Sequence, residues 1–143
     1  MNEGWTVNMV KQYLLDRDIK PSVQRLAVMT YLLEHRTHPT VEDIYNDLKD
    51  KIPTISKTTI YNTLKLFALK KAILSITIDE KMVRYDGYVD NHAHFICLAC
   101  GKVVDVPLQQ MVEFPKNENI EGFALEETHV YHRGYCTDCL KEN

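Results

Sequence analysis

The sequence predicts an α+β chain in two parts. A helical N-terminal part is arranged as a winged helix-turn-helix, and a strand-rich C-terminal part is pinned by a four-cysteine metal site. Three observations carry this reading. Apolar stripes at helical spacing run through the first seventy residues. A strand-turn-strand pattern follows at residues 72–85. Every cysteine belongs to one of two Cys-x-x-Cys units, Cys97/Cys100 and Cys136/Cys139, with 35 residues between them.

Val7, Val10, Leu14 and Leu15 recur at helical spacing, and Pro21 ends that region. Ser22 is placed to cap a second helix, with Val23, Leu26, Ala27, Tyr31 and Leu32 turned inward. Thr40 caps a third helix whose stripe is Val41, Ile44, Tyr45 and Leu48. Asp43 stands where a full capping box would have Glu or Gln, so the box is expected to be approximate. Pro53 closes the next turn, and Ser56 caps a fourth helix reaching about Lys70. Strands are expected at 72–78 and 82–85, joined by a turn at Asp79-Glu80-Lys81. Residues 86–91 are short, polar and contain Gly87, which reads as a hinge. The domain boundaries are therefore set at 1–85 and 92–143. Beyond the hinge, strands are expected at 95–97, 103–106 and 123–131, with a short helix at 108–114.

Composition narrows the class. A chain of 143 residues with 45% hydrophobic content suits one domain or two small ones. It contains no apolar run of the ~18 residues that a membrane-spanning helix needs. Its start, Met1-Asn2-Glu3-Gly4-Trp5, lacks a signal-peptide pattern, so a cytoplasmic location is expected. Cytosolic thiols stay reduced, which favours metal binding over disulfides. Four thiolates in two close-spaced pairs suit tetrahedral zinc, and such a site staples distant segments of chain. Net charge is −3. Residues 1–85 carry 13 Lys/Arg against 10 Asp/Glu, a balance of +3; residues 86–143 carry 4 against 10, a balance of −6. The basic first part and acidic second part suggest divided labour.

The fourth helix has two distinct faces. Ile60, Leu64 and Phe67 recur on one side and should pack inward. Thr58, Tyr61, Asn62 and Lys65 share another side, offering hydroxyls, an amide and an amine. A major-groove reader needs these groups: amides pair with adenine edges, rings touch thymine methyls and lysine reaches phosphate. Lys57, Lys70 and Lys71 would add backbone attraction. An ordinary amphipathic surface helix gives the same pattern, and the strand pair that follows favours the DNA-reading alternative.

A second constellation joins imidazoles and carboxylates. Alternate residues of a strand point the same way, so His92 and His94 project from one face and could pinch one ion. Asp105 lies on the next expected strand, after a turn at Gly101, and can return beside them. Asp86 lies on the hinge, and His38 precedes Pro39 before the third helix. Three nitrogens and two carboxylates suit Fe(II), Mn(II) or, less specifically, zinc. Each of Asp86, Asp105 and His38, taken alone, is more often a cap, turn or surface residue than a metal ligand.

Taken together, these residues resemble the ferric uptake regulator family. The match runs through Ile55-Ser56, Thr59-Ile60-Tyr61 and Leu64, then His92-x-His94-x-x-Cys97-x-x-Cys100-Gly101-Lys102, then Gly134-x-Cys136-x-x-Cys139. Pro21-Ser22-x-Gln24-Arg25 and His38-Pro39-Thr40 extend it to the start of the chain. The resemblance implies a bacterial, homodimeric, metal-dependent repressor of operator DNA, with a winged helix joined to an α/β dimerisation domain. It implies that Cys97, Cys100, Cys136 and Cys139 hold structural zinc. It also implies that His38, Asp86, His92, His94 and Asp105 hold a regulatory Fe(II) or Mn(II) between the domains. Asp105, and Asn62 after Tyr61, resemble the peroxide-responsive branch, whereas iron-uptake members usually carry Glu and Arg there. Asn91, Ala93 and Thr128 align with ligand positions of a further site in other members, although Glu113, His129 and His132 lie near.

For that branch the resemblance implies a hydrogen peroxide signal. Iron-dependent oxidation of a ligand histidine, His38 or His92, would release the dimer from DNA. The alternative within the family is a regulator sensing iron or zinc availability. A zinc hydrolase using His92, His94 and Asp105 lacks support, since the chain has neither a His-Glu-x-x-His helix nor a nucleophile elbow. A zinc-ribbon interaction module would leave the Tyr61 helix unexplained. The chain is therefore expected not to be an enzyme.

Overall fold

The computed structural model describes residues 4–77, 82–89, 92–107, 122–125 and 127–141. The chain divides into two compact units, Met1–Val89 and Asp90–Asn143. In the first, four helices precede a strand pair: α1 (Val7–Leu15), α2 (Val23–Glu34), α3 (Val41–Leu48), α4 (Lys57–Leu69), β1 (Leu74–Ile76) and β2 (Arg84–Asp86).

Hydroxyl side chains start all four helices. Thr6, Ser22, Thr40 and Ser56 each accept a hydrogen bond from the backbone N–H three residues on. This satisfies one of the amides that a helix leaves without an internal partner. The box at α3 is complete rather than approximate, because the Asp43 carboxylate accepts the Thr40 N–H at 3.0 Å. Aspartate is long enough here to close it. Ser56→Ala removes the cap of α4 and is expected to cost ~1 kcal/mol of stability in urea unfolding.

The core of this unit sits where α4 meets the other helices. Ile60, Leu64 and Phe67 are fully buried together with Val10 and Leu14 of α1, Val28, Met29 and Leu32 of α2, and Ile44 of α3. Val23 departs from its expected inward placement and is exposed, as are Val7 and Leu15 of the apolar repeat in α1. Val7 and Val23 are the first residues of their helices and Leu15 the last of its own, so each overhangs the core. β1 and β2 pair antiparallel in the register Leu74↔Asp86, Ser75↔Tyr85 and Ile76↔Arg84. The pairing corrects one boundary: Asp86, read from sequence as the start of a hinge, closes β2. The turn expected at 79–81 lies outside the described residues.

The second unit is a three-stranded sheet in the order β4-β3-β5, followed by a short helix. β3 (Ala93–Cys97) lies in the middle, antiparallel to β4 (Val103–Val106) and parallel to β5 (Tyr131–Gly134); α5 is Thr137–Lys141. The strand expected at 123–131 is corrected: apart from a bridge at Phe123, the described residues before Tyr131 carry no strand. The helix expected at 108–114 lies outside the described residues. Among the described residues, no helix is long and apolar enough to cross a membrane.

Candidate metal centres

The parallel pairing of β3 with β5 brings the two Cys-x-x-Cys units together. Its register ends at Cys97↔Gly134, and the Leu98 N–H donates to the Gly134 carbonyl at 2.7 Å, carrying the contact into the turn. The chain then reverses through Gly101, whose left-handed φ of 78° suits glycine and whose N–H donates to the Cys97 carbonyl. Cys136 and Cys139 arrive on the entry to α5. The four sulfurs lie within 4.8 Å of one another, and Cys100 Sγ stands 3.9 Å from Cys136 Sγ. Zn–S bonds of ~2.3 Å set the sulfur–sulfur edge of a tetrahedron near ~3.8 Å, so the donor set and its spacing fit zinc. Backbone N–H groups of Cys100, first, and then Cys136 hold the Cys97 thiol down at about 6. Cys139 is pushed upward by hydrogen bonding with the sulfurs of Cys136 and Cys97. Four thiolates at this spacing need a cation to balance their charge.

A different donor set lies on the same sheet. His94 pairs directly across from Asp105 in the β3/β4 register. His92 sits one step before β3, and its ring lies 4.4 Å from that of His94. Both imidazoles aim at one oxygen: Asp105 Oδ1 is 3.1 Å from His92 Nε2 and 3.4 Å from His94 Nε2. The His94 side chain is 2% exposed and that of His92 4%, while Asp105 keeps 25%. Two nitrogens and a carboxylate converging on one point make a cation fit here. Tyr131, opposite His94 on β5, places its ring 6.2 Å away, and its hydroxyl lies 3.3 Å from His129 Nδ1. His129 Nε2 is 3.3 Å from Glu127, a partner the sequence did not single out. Neither His129 nor His132 joins a cluster of three or more potential ligands among the described residues, and Glu113 lies outside them.

The first unit holds the remaining pair. Asp86 Oδ2 lies 3.4 Å from His38 Nε2, with both side chains almost fully buried. The other oxygen of Asp86 accepts the Tyr88 N–H at 2.8 Å, which fixes the carboxylate. His38 adopts a left-handed backbone with φ of 57°. For a residue with a side chain this costs ~1–2 kcal/mol. On α4, Thr58, Tyr61, Asn62 and Lys65 are all exposed. Lys57 is engaged within the unit, pairing with Glu42 at 2.7 Å and lying over the Tyr45 ring.

Comparison with known proteins decides the family. The model of the ferric uptake regulator family matches residues 16–139. The chain belongs to that family. It is a metal-dependent transcriptional repressor rather than an enzyme. A peroxide-responsive repressor of Staphylococcus epidermidis is 34% identical over 125 residues, covering 87% of this chain and 83% of that protein. The peroxide operon regulator of Bacillus subtilis is 31% identical over 130 residues, 90% of each chain. The fold is shared with the ferric uptake regulator of Helicobacter pylori, at a TM-score of 0.70 and 19% identity over 98% of this chain and 97% of that one. A peroxide-sensing regulator from Streptococcus pyogenes superposes at 0.52, with 23% identity over 97% and 98%.

Proposed function

We propose that this protein is a homodimeric repressor that binds operator DNA through α4 and releases it in response to hydrogen peroxide. The observation carrying this reading is the pair of incomplete ligand sets, one in each unit. His38 and Asp86 supply one nitrogen and one carboxylate; His92, His94 and Asp105 supply two nitrogens and another carboxylate. Neither set fills the coordination of a divalent ion alone, and together they offer five ligands of the kind iron and manganese take. A bound ion would join the two sets and, as iron(II), would supply the electrons that turn peroxide into an oxidant beside these imidazoles.

The residues of the chain do the rest. Tyr61 and Asn62 present an aromatic edge and an amide to the major groove, with Lys57, Thr58 and Lys65 around them for backbone contact. Two copies of α4 must be held about 34 Å apart to meet successive half-sites. Joining His38/Asp86 to the sheet of the second unit restricts how the reading heads move, so metal occupancy biases the DNA-competent arrangement. The four cysteines would hold zinc throughout as a structural element. The peroxide branch is favoured by Asp105 and Asn62 and by full-length relatives that carry that name.

The deciding experiment loads the protein with Fe(II), adds hydrogen peroxide and measures peptide masses. One added oxygen is expected on the peptide holding His38 or His92, together with loss of operator binding. Protein loaded with Mn(II) should stay unmodified and bound. Unmodified histidines in the iron-loaded protein, with DNA binding that follows metal supply alone, would establish the metal-availability alternative instead.

A further inference from the structure

His38 stands in an unfavourable place. It carries a left-handed φ of 57° immediately before Pro39, whereas a residue preceding proline is pushed toward extended backbone. Such a conformation persists only where the surroundings hold it. Here three successive residues of β2 do so. The Arg84 guanidinium donates from Nη1 to the His38 carbonyl at 3.1 Å. The Tyr85 N–H donates to the Pro39 carbonyl at 3.0 Å. Asp86 then meets the His38 imidazole at 3.4 Å.

The chain is also held just after the strand. A Cβ on Gly87 would come within 3.0 Å of the Leu32 carbonyl oxygen, so the chain lies flat against the end of α2. The Arg36 guanidinium covers the Tyr88 ring at 4.3 Å. Sliding β2 would therefore disturb both the contacts to the His38-Pro39 turn and the close approach to Leu32. Each of its three residues has a task toward the His38-Pro39 turn, and only Arg84 performs its task with a side chain that cannot itself ligate a cation.

We propose that Arg84 is a positioning residue for a divalent cation: by gripping the His38 carbonyl it fixes the strained turn that aims the imidazole beside Asp86. This rests on the ligand assignment above. Fixing ligands in advance raises metal affinity because the ordering is complete before the ion arrives. Lysine retains a donor and a charge but not the planar fork, so it substitutes only in part.

The test is a Mn(II) titration of the full chain, followed by electron paramagnetic resonance. It uses wild type, Arg84→Met, Arg84→Lys, His38→Ala and the His38→Ala/Arg84→Met double variant, with zinc content and metal-free melting measured alongside. Arg84→Met is expected to weaken Mn(II) binding by about 10- to 100-fold, and Arg84→Lys by less. Zinc content and melting should stay close to wild type. In the His38→Ala background the Arg84 substitution should add almost nothing. An equal loss in both backgrounds, or a loss that merely follows a lowered melting temperature, overturns the positioning role. So does normal binding by Arg84→Met beside an impaired His38→Ala protein, which leaves the ligand assignment standing. Normal binding by His38→Ala overturns that assignment and Arg84's role with it.

Discussion

Cys97→Ser is expected to empty the four-sulfur site and destabilise the protein severely. Serine nearly matches cysteine in shape, but its hydroxyl stays protonated at neutral pH and makes a poor zinc ligand. The consequence extends beyond one contact. β5 joins β3 through a parallel register of four residue pairs, from His94↔Tyr131 to Cys97↔Gly134. The four sulfurs cluster at the end of this ladder, so a zinc ion there would tie the segment after β3 to the segment after β5. α5, which carries Cys139, is five residues long and has no buried residue. In small metal domains zinc binding is itself folding free energy, ~10–16 kcal/mol in isolated finger peptides. Losing even ~3 kcal/mol of it lowers a melting midpoint by about 10 °C. The measurements are zinc per chain by elemental analysis and the melting midpoint. Cys136→Ser should behave alike, since it removes a ligand from the opposite side. A Cys97→Ser protein with full zinc content and unchanged melting would remove the structural role.

These two regions differ in how plainly the sequence announced them. α4 was legible because its local and tertiary signals agree: a serine cap, an apolar repeat at Ile60, Leu64 and Phe67, and a polar face that stays exposed. The cysteines were legible because two close-spaced thiol pairs suit one four-coordinate cation, and the fold brings all four sulfurs within 4.8 Å of one another. β5 was not. The apolar run around residue 123 looked more strand-like than Tyr-His-Arg-Gly at 131–134, but strand formation there follows the register with β3 rather than side-chain preference. Gly134 fits that register because Phe95 lies over it, 3.1 Å from where a Cβ would stand. Asp86 and Gly87 were read as linker for their polarity and freedom. In fact Asp86 is buried and bonded, and Gly87 is there because α2 leaves no room for a side chain. His94 on β3 and His92, one residue before the strand, both face Asp105 Oδ1, the shared face that alternation predicts. Nothing in the sequence indicated that Arg84 reaches back over forty residues to His38.

His38→Ala and Asp105→Ala are expected to abolish most metal-stimulated operator binding while leaving the protein folded and zinc-loaded. The two belong in one experiment because they come from different units. Asp105 is the point on which His92 and His94 converge, so its loss leaves two imidazoles without the charge that neutralises a divalent ion. His38 contributes from a separate element, and its loss takes away the imidazole that Asp86 meets in the first unit. Removing a direct ligand should weaken Mn(II) binding by at least ~100-fold, since removing only a supporting partner costs ~10- to 100-fold. The DNA consequence follows from population arithmetic. A ligand shifts a two-state equilibrium only by its difference in affinity for the two states, and ~5.5 kcal/mol carries it from one in a hundred to ninety-nine. An ion held by one unit alone binds both arrangements equally and so moves nothing, however tightly it is held. His38→Ala is thus the sharper variant: it can leave a bound ion that no longer regulates. Gel shifts with and without Mn(II), read beside direct Mn(II) affinities, separate these outcomes. If Asp105→Ala abolishes stimulation while His38→Ala keeps it at wild-type strength, the ion acts within the second unit, and control of the reading heads has another origin.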